Sequence, residues 1–313
     1  MMASAKKFSH KRMLVIIIFV IVAVFAISMV TTKLVYDGVF SRYDQPVDIP
    51  QTLETMVKQR CVHQFSSGEN RLTGYLYNPI KSGPANGLIV LVPGFSAGAD
   101  DYLWQIRELV EYGWGVFTFD ATGTQRSEGK NQVGFSQSVP DLEAALKYVE
   151  NNRNFGYNEL VLMGHSRGAY AACCVLPQTR DVAAVVSVSG INSAMEGVMH
   201  MSVQAVGPIS YGNYGFLWLY QAMLFGADTL QLQAYEAISH ADVPVLVVHG
   251  REDTQIPTDA CSIISHAQEI TSSKVEYMLW DAGHTDILYD DDGTANDALI
   301  EKIHNFLLRS IGQ

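Results

Sequence analysis

The chain has 313 residues, 48% of them hydrophobic and 17% charged, with a mean hydropathy of +0.08 and a formal net charge of −11. That composition excludes a disordered chain, a collagen-like repeat and a cysteine-stapled scaffold, and it leaves ample chain for a large buried core. The acid excess argues against a nucleic-acid partner, which needs clustered Lys and Arg.

Met13 to Val30 is an 18-residue stretch in which Ser28 is the only residue that is not apolar. As a helix it reaches ~27 Å, enough to cross the hydrocarbon core of a bilayer. Lys6, Lys7, Lys11 and Arg12 precede it, and the first twelve residues hold no acid. By the positive-inside rule the N-terminus is cytoplasmic and the remainder lies outside. Ala26-Ile27-Ser28 leaves a second reading open, a signal peptide cleaved at a small-residue site. Beyond Val30 the chain carries 17 basic and 32 acidic side chains, a net charge of −15. Such a surface is repelled by anionic lipid, so the tether rather than charge holds it at a membrane.

A polar linker, Ser41 to Pro50, leads to a short predicted helix at Leu53–Lys58. Two hairpin-like runs follow, Cys61–Phe65 and Leu72–Tyr77, separated by the turn-rich Ser66-Ser67-Gly68-Glu69-Asn70. Short apolar runs then alternate with amphipathic stretches. The predicted strands are Gly87–Val92, Gly115–Phe119, Glu159–Met163, Ala183–Val188, Pro244–Val248 and Val275–Trp280. The predicted helices are Tyr102–Tyr112, Val139–Asn151, Gly168–Val175, Ile256–Ile270 and Asn296–Ser310. This alternation specifies an α/β fold with a mostly parallel sheet covered on both faces. Ligands of such sheets bind at the carboxyl ends of the strands. Ile191 to Ile238 breaks the rhythm, being rich in Met, Tyr and Gly, and reads as an inserted helical lid. Of the four cysteines, Cys173 and Cys174 are adjacent and cannot easily bridge each other, and Cys61 and Cys261 are isolated. Free buried thiols are expected.

The chemistry concentrates at strand ends. Leu160-Val161-Leu162-Met163 runs into Gly164-His165-Ser166-Arg167-Gly168 and an alanine-rich helix. This is G-x-S-x-G between a strand and a helix, where a sharp turn exposes the serine and small neighbours let the chain nearly touch itself. A serine hydroxyl needs a base. Val245–Val248 ends in His249-Gly250-Arg251-Glu252-Asp253, and Val275–Trp280 ends in Asp281-Ala282-Gly283-His284. Serine, acid and histidine thus follow in the order Ser166, Asp253, His284, with His284 as base and Asp253 as its orienting carboxylate. Glu252 and Asp281 compete with Asp253, which is preferred for its place in the G-x-x-D-x-x-I-P run from Gly250 to Pro257. His165, preceding the nucleophile, is expected to point away from the site, and His249 to pack at its strand end. Two backbone N–H groups should hold the oxyanion, one from Arg167 and one from the Pro93-Gly94-Phe95 turn, at Phe95. Asp120 reads as a loop-fixing carboxylate. No P-loop, dinucleotide fingerprint or zinc-ligand spacing occurs, and the Asp290-Asp291-Asp292-Gly293 run lacks EF-hand spacing, so neither a cofactor nor a metal is expected.

With these motifs in hand, residues 60 to 313 resemble the α/β-hydrolase superfamily. The closest resemblance is to bacterial esterase/lipase-like members grouped with monoacylglycerol lipases and serine aminopeptidases. It rests on the PGF turn, the segment from Phe119 to Gly129, GHSRG, HGREDTQIP and the final AGH. Two departures stand out: Pro93 replaces the histidine often found before the oxyanion glycine, and Arg167-Gly168-Ala169 replaces a bulky-Gly-Gly run. The resemblance implies a helical lid insertion at about 191–238 within a catalytic domain at 60–313. That domain is expected to follow a basic stub (1–12), the transmembrane anchor (13–30) and a linker (31–59). The expected activity is cleavage of a small-molecule or lipid-like carboxylic ester through an acyl-enzyme. A peptidase or amidase, or a catalytically silent binding protein, is the alternative. The oligomeric state is not encoded in any motif.

Overall fold

The structure is a computed structural model and describes residues 10–78, 86–152, 155–178 and 181–313. Most of the basic stub, including Lys6 and Lys7, lies outside the described residues.

Eight strands form one sheet: β1 (Cys61–Ser67), β2 (Asn70–Tyr77), β3 (Leu88–Val92), β4 (Gly115–Phe119), β5 (Leu160–His165), β6 (Val182–Val188), β7 (Val245–Gly250) and β8 (Val275–Trp280). Their order across the sheet is β1-β2-β4-β3-β5-β6-β7-β8. The hairpin β1–β2 joins antiparallel, β2 pairs antiparallel with β4, and every pair from β4 to β8 is parallel. β3 shows why these runs are strands. Leu88-Ile-Val-Leu-Val is buried at every position because both faces are covered. Val90 and Val92 enter one core with Phe117, Leu162 and the lid, whereas Ile89 and Leu91 enter the opposite core with Val116 and Val161.

The first core is closed by α4 (Ser138–Glu150) and α5 (Arg167–Cys174), the second by α3 (Leu103–Glu111) and α10 (Asp297–Ser310). In α4, Val139, Leu142, Leu146 and Val149 fall on one buried stripe at helical spacing. α10 starts where the Asn296 side chain accepts the Leu299 N–H at 3.0 Å. A short α2 (Glu54–Gln59) precedes the sheet. Between β6 and β7 lies the lid: α6 (Ala194–Val206), α7 (Tyr214–Phe225), α8 (Ala227–Leu230) and α9 (Ala234–His240).

Three expectations need correction. The helix expected over Ile256–Ile270 is instead irregular, with one 3-10 turn at Ile263–His266. Its backbone pairs elsewhere: Ile263 N–H donates to Gly190 O at 2.9 Å, and Asn192 N–H donates to Cys261 O at 2.8 Å. Those tertiary bonds satisfy groups that a helix would otherwise pair. Cys61 is exposed on the edge strand β1, although Cys173, Cys174 and Cys261 are buried free thiols; burial pushes Cys173 up to about 12.

The third correction concerns the N-terminal helix. α1 runs from His10 to Val39, nine residues past the apolar stretch, and is long and apolar enough to cross a membrane. Its extension enters what the sequence presents as the start of a linker. Tyr36 and Phe40 are buried, Tyr36 Oη donates to Gln221 Oε1 at 3.3 Å, and Tyr220 Oη donates to Asp37 Oδ1 at 2.7 Å. Packing against α7 therefore stabilises helix where the hydropathy signal has already ended.

Candidate active site

The β5–α5 turn is dictated by contact distances. A Cβ on Gly164 would lie 2.3 Å from the Gly168 carbonyl, and one on Gly168 would lie 2.1 Å from Val92 O. Only glycine lets the turn close this tightly against β3. Ser166 between them is held at φ 56°, ψ −121°, a strained conformation for a residue with a Cβ. It heads α5, so the N–H of Arg167, first residue of that helix, has no intrahelical acceptor.

Ser166 and His284 line the same cavity of about 390 Å³, with Phe95 and Met201 also in its wall. His284 Nδ1 lies 2.7 Å from Asp253 Oδ2. The other carboxylate oxygen of Asp253 accepts the N–H groups of Gln255 at 2.9 Å and Ile256 at 2.7 Å. Burial alone would raise the Asp253 carboxyl, but bonds from His249 and His284 outweigh it and hold the acid well below the usual carboxylate range. The competing acids sit elsewhere: Asp281 pairs with Arg251 at the surface, and Glu252 borders a separate open cleft. On the other side of Ser166, Gly94 N–H donates to Tyr102 Oη at 2.9 Å and Ser96 N–H to Gln132 Oε1 at 3.1 Å. Phe95, between these two anchored residues, lies in the cavity wall.

Asp120 accepts from Ala99 N–H, Tyr75 Oη and Arg126 N–H, which ties two loop segments and strand β2 to the end of β4. Arg167 differs from an arginine at a site mouth. Its side chain is buried beside the Phe95 ring, and burial lowers its pKa to about 10.

His165 corrects the sequence reading directly. It lies in the cavity wall rather than facing away. β5 continues to His165, so strand alternation puts this ring on the Met163 face, toward Tyr102. That alternation was the missed signal. The hydrogen bonds form a directed chain: Gly94 N–H donates to Tyr102, Tyr102 O–H to His165 Nδ1 (3.0 Å), and His165 Nε2–H to His284 O (3.1 Å). A neutral imidazole satisfies this chain, and burial, reinforced by His284, pushes His165 down to about 3. His249 was also missed as a partner of the acid: its Nε2 is 2.7 Å from Ile256 O and 3.2 Å from Asp253 Oδ2.

The neutral His165 gives an expected pH dependence. An unfolded chain protonates this residue near pH 6.5, whereas the folded protein keeps it neutral down to about pH 3. Between those values the unfolded state binds the extra proton, so stability falls as pH falls, with a slope approaching ~1.4 kcal/mol per pH unit. Denaturant titrations from pH 4.5 to 7.5 should show this slope in the native sequence and a smaller one in His165→Met. Equal slopes would refute the assignment. The low pKa of Asp253 acts separately, below about pH 4.

Comparison with known proteins bears on the fold. A family model described as serine aminopeptidase, S33, matches residues 83–211. A proline iminopeptidase of Saccharolobus solfataricus is 29% identical over 121 residues, which is 37% of this chain and 37% of that protein's length. An esterase of Pyrococcus furiosus superposes with a TM-score of 0.65 at 18% identity, covering 87% of this chain and 100% of its own. Est1E of Butyrivibrio proteoclasticus, solved with ferulic acid bound, gives 0.63 at 16% identity, covering 80% and 100%. The structural likeness shows an α/β-hydrolase fold, and the family model matches the part of the chain that carries the β5–α5 turn.

Proposed function

We propose that this chain is a membrane-anchored hydrolase of carboxylic esters, with Ser166, His284 and Asp253 as its triad. The observation that carries the reading is the arrangement around one cavity. A strained serine at a helix start faces a histidine whose Nδ1 is committed to a carboxylate. Nε2 of His284 is then the nitrogen available to the serine. Ser166 Oγ attacks the acyl carbon while its proton passes to Nε2, and the carbonyl oxygen becomes an oxyanion held by the Phe95 and Arg167 N–H groups. Collapse breaks the ester C–O bond, and the His284 proton goes to the departing alkoxide. Water then repeats the sequence on the acyl-enzyme and releases the acid. No cofactor enters these steps.

The lid side of the cavity favours esters over peptides, and Asp101 on the opposite wall is already engaged by the Gly98 N–H. Met201 and Gln204 enter it from a lid whose residues 197–227 contain no Asp, Glu, Lys or Arg to pair with a peptide terminus. The amide reading has support from the description of the matching family model and from the iminopeptidase relative. Purified protein should react with a fluorophosphonate probe and turn over p-nitrophenyl esters faster than aminoacyl anilides. Faster anilide cleavage would transfer the assignment to peptides, and a folded protein that resists the probe would end the hydrolase reading.

We place the catalytic domain outside the cytoplasm, on the basic residues before the span. The anchor is kept rather than cleaved in this reading, because Ala26-Ile27-Ser28 lies within a helix that continues onto the lid. Protease added to intact cells should remove the domain; protection would reverse the topology.

A further inference from the structure

A second cavity, of about 440 Å³, lies between the anchor helix and the lid, and nothing in the catalytic steps uses it. One wall is α1, where Ile27, Thr31, Val35 and Val39 recur every fourth residue and so form a single row. Over that row the helix rises ~18 Å, from Ile27 inside the apolar stretch to Val39 beyond it. The other wall is the lid, through Val198, Met201 and Ala205 on one face of α6 and Leu217 on α7.

The cavity joins two environments. Its far end, at Ile27, lies inside the stretch read as membrane-spanning. There Phe25 also packs on Phe216 of α7, with ring centroids 5.6 Å apart, so the lid reaches the depth of the span. The outer lid suits that depth: Ile209 is 81% exposed, Met223 69% and Val206 65%, in a segment without charged side chains. Its near end adjoins the catalytic cavity. Met201 lines both, and Phe40 packs against Phe95 at 5.1 Å and Phe135 at 5.2 Å, both of which face Ser166's cavity.

We propose that this cavity is the acyl-chain subsite. A single hydrocarbon chain of a membrane-lipid ester would enter it sideways from the leaflet, so the anchor helix forms a wall of the substrate site. The inference rests on the ester-hydrolase reading and adds its substrate class. Adjacency to the catalytic cavity across Met201, a mostly apolar lining and a far end at the depth of the span select a hydrocarbon chain as occupant.

The test uses the full chain in phosphatidylcholine nanodiscs, with p-nitrophenyl butyrate and p-nitrophenyl palmitate as substrates. Ala205→Trp plugs the cavity from α6, and Thr31→Trp plugs it independently from α1. In each, the palmitate-to-butyrate ratio of kcat/KM should fall at least ~10-fold, the loss expected when a few methylenes can no longer be buried. Two results overturn the subsite. One is an unchanged ratio in variants that still cleave butyrate, as expected if a protein helix of a second copy fills the cavity. The other is a native protein that cleaves butyrate but not palmitate. Cleavage of neither ester by the native protein overturns instead the ester reading beneath it.

Discussion

Ser166→Ala is expected to lower kcat on p-nitrophenyl butyrate by ~10⁵- to 10⁶-fold and to abolish fluorophosphonate labelling. The size follows from what the substitution leaves behind. Without Oγ there is no acyl-enzyme, so His284 can only activate water, and the Phe95 and Arg167 N–H groups stabilise an intermediate that forms rarely. Residual acceleration from oxyanion stabilisation and binding should remain at ~10³ over water. The fold should be unaffected, because alanine carries the same Cβ and tolerates φ 56° no worse than serine does. Unchanged thermal unfolding beside lost turnover therefore separates chemistry from structure. Substantial surviving activity would point to Ser96, which lines the same cavity at φ 51° but has Gln132 rather than a histidine beside its hydroxyl.

What the sequence made legible was what local backbone and burial dictate. The parallel strands appear as uninterrupted runs of branched apolar residues because both sheet faces are covered, and every observed bound lies within two residues of the expected one. The serine turn was readable because its glycines answer to steric contacts within a few residues and one neighbouring strand. Features decided by distant contacts were not readable. The helix persists beyond Val30 through Thr31, Thr32 and Lys33, where hydropathy drops, since its partners Asn213, Tyr220 and Gln221 come from the lid. The amphipathic pattern at Ile256–Ile270 did not survive because Gly190 and Asn192 compete for its backbone groups. His249 was read as packing, and it is buried, but its contact with Asp253 depends on how the loop after β7 folds back.

That second histidine makes Asp253→Asn more damaging than the loss of one charge. Both carboxylate oxygens are acceptors for two donors each. Oδ1 receives the N–H groups of Gln255 and Ile256, and Oδ2 faces His284 Nδ1 and His249 Nε2. An asparagine has one acceptor oxygen and one donor NH₂. With its NH₂ at the Oδ1 position it opposes two backbone donors, which cannot change their protons. With NH₂ at the Oδ2 position it opposes the histidines, and His284 adapts only by accepting at Nδ1 and carrying its proton on Nε2. That tautomer cannot take the Ser166 proton. The expected loss in kcat is therefore ~10⁴-fold at neutral pH, the scale set by the corresponding substitution in serine-protease triads. Asp253→Glu retains the charge but displaces it, so it should recover part of the rate, whereas a mainly structural acid would give equal losses for both variants. Fluorophosphonate labelling should slow in the same order, because it uses the same proton transfer. If Asp253→Asn kept a tenth of native kcat, the orienting carboxylate would have to be another residue, and the geometry around His284 would be without catalytic meaning.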